Sequence, residues 1–512
     1  MTSAPPHSLT SGPLPHRQVM RVMSGLMAGM FLAALDQTIV ATALPNLVEN
    51  LGGLSQITWV VTAYMLTTTV SAALWGKISD LRGRRPSYLA AIGIFVVGSL
   101  LCSVAQNMTQ LIAARGLQGI GGGGMQALSF AIMGDVLAPR HRGRYVGLMS
   151  GTYAIASVLG PLAGGFLVDH ASWRWIFLVN LPLGIVAMVV AGSALRGVGG
   201  RRDARLDIVG AVLLSGAVVT LLLAGVWGGK EYPWASVTII GLFVASVVLA
   251  VAFVRVEQRV DEPILAPRLA RSRVLVLSIG LAALSTVVFQ SAVVYLPLFL
   301  QTVNASSATR SGILIAPLML GLAVASVYVG RRVSDTGRYR VLLLIGAGGM
   351  VAATAGLAAL DQNTGSVQVM SLMILLGLAF GAASPVVNLS AQNAMPLADL
   401  GAASSALMTL RTLGGTLGIA GVGAVVLSRI SSGLAALPGG RGLDGEQLST
   451  GPKAIAALAQ PLRGEVIRVM ASSIAHGFLF CIPVAGLLFV FAWMLPEVPL
   501  RAHTESTPLL LD

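Results

Sequence analysis

One carboxylate, Asp36, lies well inside a long apolar run, in the segment Leu35-Asp36-Gln37-Thr38-Ile39-Val40. An ionised acid is costly in hydrocarbon, but tolerable where it faces a water-filled cavity or a partner, and there it can take up and release a proton. Arg115 can be that partner. Asp36 precedes Pro45 by nine residues, about 13 Å at 1.5 Å per residue. Arg115 enters the fourth apolar run from the same side, so both belong to a similar layer. A second charged group, Asp80 with Arg82, Arg84 and Arg85 around a turn that Gly83 permits, can grip a helix end in one conformation and release it in another. On residue types alone it is equally a signal that holds a loop on one side of a membrane. A third group is mechanical. Ala156, Gly160 and Gly164 put small residues on one helical face, and Pro161 clashes with the carbonyl of Ser157, so a kinked, closely packed helix is expected.

Enzyme chemistry finds no such support. No G-x-x-x-x-G-K-[ST], H-E-x-x-H or G-x-S-x-G occurs, and the six histidines are scattered, with His476 alone near a membrane segment as an interfacial residue. Gly119-Ile120-Gly121-Gly122-Gly123-Gly124 satisfies G-x-G-x-x-G, but it lies inside an apolar helix with no preceding strand. Helix packing through Gly119 and Gly123 explains it better than a dinucleotide. Cys102 and Cys481 both fall within apolar runs and indicate neither a disulfide framework nor a metal site. The chain is expected to be no enzyme and to use no cofactor or metal.

These residues must be positioned by elements that live in lipid. The chain has 512 residues, 55 % hydrophobic and only 10 % charged, with a mean hydropathy of +0.82. That excludes a water-soluble protein and implies an all-α integral membrane fold. Fourteen apolar spans are expected at 19–43, 57–76, 87–104, 110–134, 145–168, 173–195, 206–226, 236–255, 274–298, 310–331, 341–360, 366–389, 403–428 and 474–495. The first is too long, and carries too polar a pair in Asp36 and Gln37, to be a cleaved leader. Short loops after even-numbered spans hold the arginines, among them Arg84, Arg85, Arg140, Arg142, Arg144, Arg201, Arg202, Arg205, Arg268, Arg271, Arg331, Arg332 and Arg338. The opposite short loops hold only Arg174, Lys230 and Arg310, which puts both termini in the cytoplasm. The net charge of +13 is therefore topological, and no nucleic-acid partner is expected. A weak repeat links Gly76-Lys-Ile-Ser-Asp80-Leu-Arg-Gly83-Arg84-Arg85 with Gly330-Arg-Arg-Val-Ser334-Asp335-Thr-Gly337-Arg338 and implies two duplicated halves.

In these motifs the chain resembles the major facilitator superfamily, and within it the 14-helix drug:proton antiporters. Leu35 to Val40 leading to Ala43-Leu44-Pro45 resembles that family's first-helix signature, and residues 76–85 are similar to its cytoplasmic motif. Arg115 with Gln118-Gly119 is similar to the fourth-helix motif, and Gly160-Pro161 with Gly164-Gly165 to the antiporter motif of helix five. Trp173-Arg174-Trp175-Ile176-Phe177 and Asn180-Leu181-Pro182 also look typical of the 14-helix branch. Gly147 starts the helix-five pattern, but Ala156 stands where the fuller form has glycine.

The resemblance implies a major facilitator fold: a cytoplasmic tail 1–18, a six-helix bundle 19–195, a linker 196–260 carrying two inserted helices, a second bundle 261–495 with an external loop about 429–473, and a cytoplasmic tail 496–512. It further implies proton coupling at Asp36 and Arg115, and a conformational gate at Gly76, Asp80, Gly83, Arg84, Arg85 and Asp335. A cavity between the halves is expected to offer Trp59, Tyr64, Gln126, Gln290, Tyr295, Asn388, Gln392 and Arg411, with Met125, Met133, Met319 and Met408 in packing roles. The expected function is proton-coupled export of lipophilic neutral or monovalent cationic drugs, with Asp36 shared between proton and substrate. Its partners would be those small molecules, protons and the bilayer. A monomer in a bacterial plasma membrane is expected. An exporter of an endogenous lipid or metabolite, with Arg411 pairing an anionic group, is the alternative; a transport-inactive sensor or structural protein is the alternative of another class.

Overall fold

The computed structural model describes residues 16–52, 56–137, 139–196, 207–229, 231–260, 271–304, 308–395, 400–437, 455 and 458–500. The expected tails before residue 16 and after residue 500, most of the loop 438–457, and Arg201, Arg202, Arg205, Arg268 and Lys230 lie outside the described residues. Among the described residues the fold is all helix: α1 (His16–Leu51), α2 (Ile57–Arg82), α3 (Arg84–Val104), α4 (Met108–Val136), α5 (Pro139–His170), α6 (Trp175–Leu178), α7 (Asn180–Ala194), α8 (Ile208–Trp227), α9 (Val237–Glu257), α10 (Arg273–Thr302), α11 (Ala308–Thr336), α12 (Arg340–Ala358), α13 (Ser366–Asn393), α14 (Leu400–Ala435) and α15 (Leu462–Met494).

Helices occupy every expected span position, with α6 and α7 sharing the sixth. Twelve spans among the described residues are long and apolar enough to cross a membrane by length and composition. α2 and α4 are not among them, and packing gives the reason: threonine-rich α2 and glycine-rich α4 face each other and protein neighbours, so little of α4 needs to suit lipid. Helix starts follow local chemistry, with Asn107, Asp207, Ser236 and Ser272 accepting a hydrogen bond from the backbone N–H three residues on in α4, α8, α9 and α10. Two boundaries differ from expectation. α14 runs on to Ala435, and Val466 to Met470 belongs to α15, not to a loop, because its apolar side packs into the core of the second half.

The first half comprises α1–α7 and the second α10–α15. Their internal pairings correspond. α1 packs on α5 as α10 does on α14; α2 on α4 as α11 on α13; α3 on α7 as α12 on α15. The repeated motif obeys the same rule, since α2 and α11 each end at a glycine with positive φ, Gly83 at 95° and Gly337 at 70°, a conformation that favours glycine. Between the halves run two seams, α5 with α11 and α2 with α14, and α8 lies over the second. At the arginine-rich end the first seam is tight. A Cβ on Gly330 would meet the carbonyl oxygen of Gly143 at 2.1 Å, and one on Gly147 would meet that of Ser326 at 2.4 Å. There the Arg144 N–H donates to Ser334 Oγ at 3.0 Å.

Candidate functional site

Asp36 and Arg115 meet inside the first half. Arg115 Nη1 donates to Asp36 Oδ2 at 2.7 Å, and neither side chain is more than 1 % exposed. Gln118 Nε2 and Asn180 Nδ2 each donate to Asp36 Oδ1 at 2.8 Å. Arg115 also donates to Gln118 Oε1 at 2.8 Å and to the Val60 carbonyl at 3.3 Å, and its guanidinium lies 4.2 Å from the centre of the Tyr64 ring. Asn180 is itself held through Ser99 Oγ at 3.0 Å. Charge, hydrogen bonds and an aromatic face thus offset the cost of burying both ions.

Several glycines bring the helices close enough for this. On α4, a Cβ at Gly119 would meet the Tyr64 carbonyl oxygen at 2.5 Å, and at Gly123 that of Thr68 at 2.3 Å, so the glycine run is a packing face toward α2. On α3, a Cβ at Gly98 would lie 2.7 Å from the backbone of Gln118. The break between α6 and α7 at Val179 starts a new helix at Asn180, which reaches Asp36.

A cavity of about 590 Å³ lies between the halves. It extends from Gln126, Phe130 and Ser150 past Tyr153 and Arg411 toward Leu44, Leu298 and Ile430, away from the arginine-rich end. Of the residues expected on its wall, Tyr64, Gln126, Gln290, Tyr295 and Arg411 are there, and Gln37, Thr62, Tyr153 and Ser384 join them. Three expectations are corrected. Trp59 packs edge-on against Trp227 of α8, 5.9 Å between ring centres. Asn388 is buried and donates to the Ser384 carbonyl at 2.8 Å, and Gln392 is buried where it donates across the halves to the Phe130 carbonyl at 3.4 Å. Met125, Met133 and Met319 pack in the cores, whereas Met408 lines the cavity together with Met30 and Met65.

The position of Asp36 is a further correction. Its neighbour Gln37 faces the cavity, but Asp36 points the other way, and Tyr64 stands between the carboxylate pair and the space a substrate would occupy. A molecule in the cavity therefore does not touch Asp36 in this conformation.

The gate residues of the first half assemble around the α2–α3 turn. Gly83 makes the turn, and Arg84 bridges Asp80 at 2.7 Å and Asp135 of α4 at 2.6 Å. Arg85 donates to the Gly192 carbonyl at 2.9 Å. Among the described residues, Ser334, next to Asp335, makes one bond across the halves, while Asp335 itself is exposed. Gly76 is buried in α2. On α5, Gly160 packs against α1, where its Cβ would meet Thr38 Oγ1 at 2.0 Å, Gly164 is buried, and Gly165 borders open space. The helix continues through Pro161. Sequence reasoning missed Asp135, Gln118 and Asn180 as partners; a neutral amide or a terminal acid carries no spacing signal for a contact so distant in the chain.

Comparison with known proteins agrees with this architecture. The family model described as Major Facilitator Superfamily matches residues 26–206 and 198–419. The multidrug transporter protein MdtP of Bacillus subtilis (strain 168) is 37 % identical over 411 residues, 80 % of this chain and 75 % of that protein. Multidrug resistance protein 3 of Bacillus subtilis (strain 168) is 31 % identical over 496 residues, covering 95 % and 97 %. The crystal structure of the human organic anion transporter MFSD10 (TETRAN) superposes with a TM-score of 0.63 over 94 % of this chain and 100 % of that one; at 16 % identity this is a likeness of fold.

Proposed function

The chain belongs to the major facilitator superfamily, and from that premise we propose that it is a proton-coupled exporter of lipophilic small molecules working by alternating access across a bacterial plasma membrane. The observation that carries the proposal is the buried Asp36–Arg115 pair behind Tyr64, on the wall of a cavity between two pseudo-symmetric halves. Relatives named multidrug transporter and multidrug resistance protein support lipophilic drugs as the cargo, as does a wall in which aliphatic and aromatic side chains dominate. We assign fourteen spans and a cytoplasmic arginine-rich end, on the charge bias of the loops. This conformation is then closed to the cytoplasm and directed outward.

Coupling works through Tyr64. In the state described here Asp36 is held by three donors and shielded from the cavity. A proton reaches it when the halves move and the Tyr64 ring shifts, and protonation frees Arg115 from its counter-charge. Substrate acts on the same ring from the cavity side, so the two compete through Tyr64 and not for one carboxylate. Neutral lipophiles suit a wall without carboxylates among the described residues.

The test is Asp36→Asn in proteoliposomes. Efflux driven by a pH gradient is expected to disappear while substrate-for-substrate exchange, which needs no net proton, persists and reports a folded protein. Gradient-driven efflux at the unmodified rate would remove Asp36 from the mechanism; loss of both activities, with a thermal transition retained, would make it a substrate-handling residue instead.

A further inference from the structure

Arg411 is the one charged side chain on the cavity wall among the described residues. It stands eleven residues into α14, which starts at Leu400. A guanidinium carries five N–H donors and no acceptor, and stays charged at any physiological pH. One of those donors, on Nη2, reaches a protein acceptor, Ser384 Oγ at 3.3 Å. The cation's other close contact is the face of Phe380, 5.3 Å from Cζ. No carboxylate among the described residues pairs with it, whereas Arg84 and Arg115 each bridge an acid. An unneutralised cation at membrane depth is expensive and marks a functional position.

The surroundings specify what would complete it. Tyr153, close enough to interact electrostatically with Arg411, already spends its hydroxyl hydrogen on Gln37 Oε1 at 3.3 Å. Phe380 stacks on Phe289 with 4.1 Å between ring centres, and both rings line the cavity beside the guanidinium. The site therefore offers spare donors in a planar fork next to a flat apolar surface. It is poor in acceptors for a second cation, which would also meet like charge.

We propose that the cavity takes amphiphilic monoanions, whose carboxylate or sulfonate head docks on the Arg411 fork beside Ser384 while the apolar body lies along Phe380 and Phe289. Planar oxyanions match a guanidinium in two parallel hydrogen bonds. The inference rests on the exporter reading above and narrows its cargo from lipophiles in general to those with an anionic head.

Full-length protein in neutral detergent, titrated with 11-(dansylamino)undecanoate, its methyl ester and dansylcadaverine, tests this with one fluorophore on an anion, a neutral molecule and a cation. The wild-type chain is expected to hold the carboxylate about tenfold more tightly than the ester, and the amine least. R411Q should bring acid and ester together while leaving ester binding in place; R411K should keep part of the preference, since its charge lacks the fork. Equal wild-type affinities for acid and ester, tightest binding of the amine, or a preference that survives in R411Q overturns the inference. Should R411Q lose ester binding as well, R411K decides: a reduced acid-to-ester ratio supports the site and an unchanged one refutes it. Failure of the exporter reading looks different, because then no dansyl compound leaves proteoliposomes under a pH gradient; efflux of ester without preference for acid sinks only the anion site.

Discussion

A carboxylate that accepts three hydrogen bonds and touches no solvent makes Asp36 and Arg115 one energetic unit. Breaking such a pair from one side leaves an uncompensated buried charge and costs about 3–5 kcal/mol, whereas replacing both members by apolar residues costs far less. Arg115→Leu should therefore lower the thermal transition in detergent strongly, and Asp36→Leu with Arg115→Leu should recover most of that loss while remaining inactive in gradient-driven efflux. Additive losses in the double variant would show that the two do not act as a pair. Both residues were legible in the sequence, because a charge inside a lipid-depth segment has few tolerable explanations. Gln118 and Asn180 stand in motifs read from the sequence, but nothing in an amide's type or spacing says that its buried donor meets this carboxylate. Trp59 was misplaced for a related reason: an aromatic near the end of a span packs equally well on a cavity or on a neighbouring helix, and Trp227 claims it.

Helix α5 works with two faces. Gly143 and Gly147 meet α11 across the seam, while Gly160 meets α1 of its own half. The spacing of small residues shows that some helix comes close, but not that the partner changes along the length. Gly147→Val should wedge the seam open at the arginine-rich end, because added volume against a backbone carbonyl has nowhere to go. Overpacking of this kind costs 1–3 kcal/mol, enough to lower transport about tenfold. A cysteine placed on the wall as Ser150→Cys should then label faster from the arginine-rich side; Cys102 and Cys481 are buried, so background labelling is low. Unchanged labelling in the Gly147→Val background would mean that this contact does not close the pathway. The glycine run of α4 belongs to the same scale, since it serves approach to α2 and α3, and its resemblance to a nucleotide loop ends with its helical context.

For the whole molecule, the pairings of α1–α7 recur in α10–α15, and the pair α8–α9 attaches to the α2–α14 seam outside that symmetry. The pair is not a passive spacer, since Gly225, Val226 and Gly228 reach the cavity wall. The proposed sidedness rests on the charge bias of the loops. In intact cells a membrane-impermeant maleimide should modify Leu427→Cys, on the cavity wall away from the arginine-rich end, and spare Arg332→Cys at that end; the reverse pattern would invert the assigned topology.

Length, apolarity and the alternation of arginine between loops were readable along the chain because lipid imposes those conditions on each segment separately. Helix positions and the conspicuousness of the two deep charges follow from them. Rotation of each helix about its axis was not readable. With nearly every face apolar, neither periodicity nor composition says whether Asp36 or Gln37 meets the cavity, whether Gln392 lines it or ties the halves together, or which acid Arg84 takes. Packing decided these points: glycines set how near the backbones come, and that distance determined which side chains turn toward one another and which toward the space between the bundles.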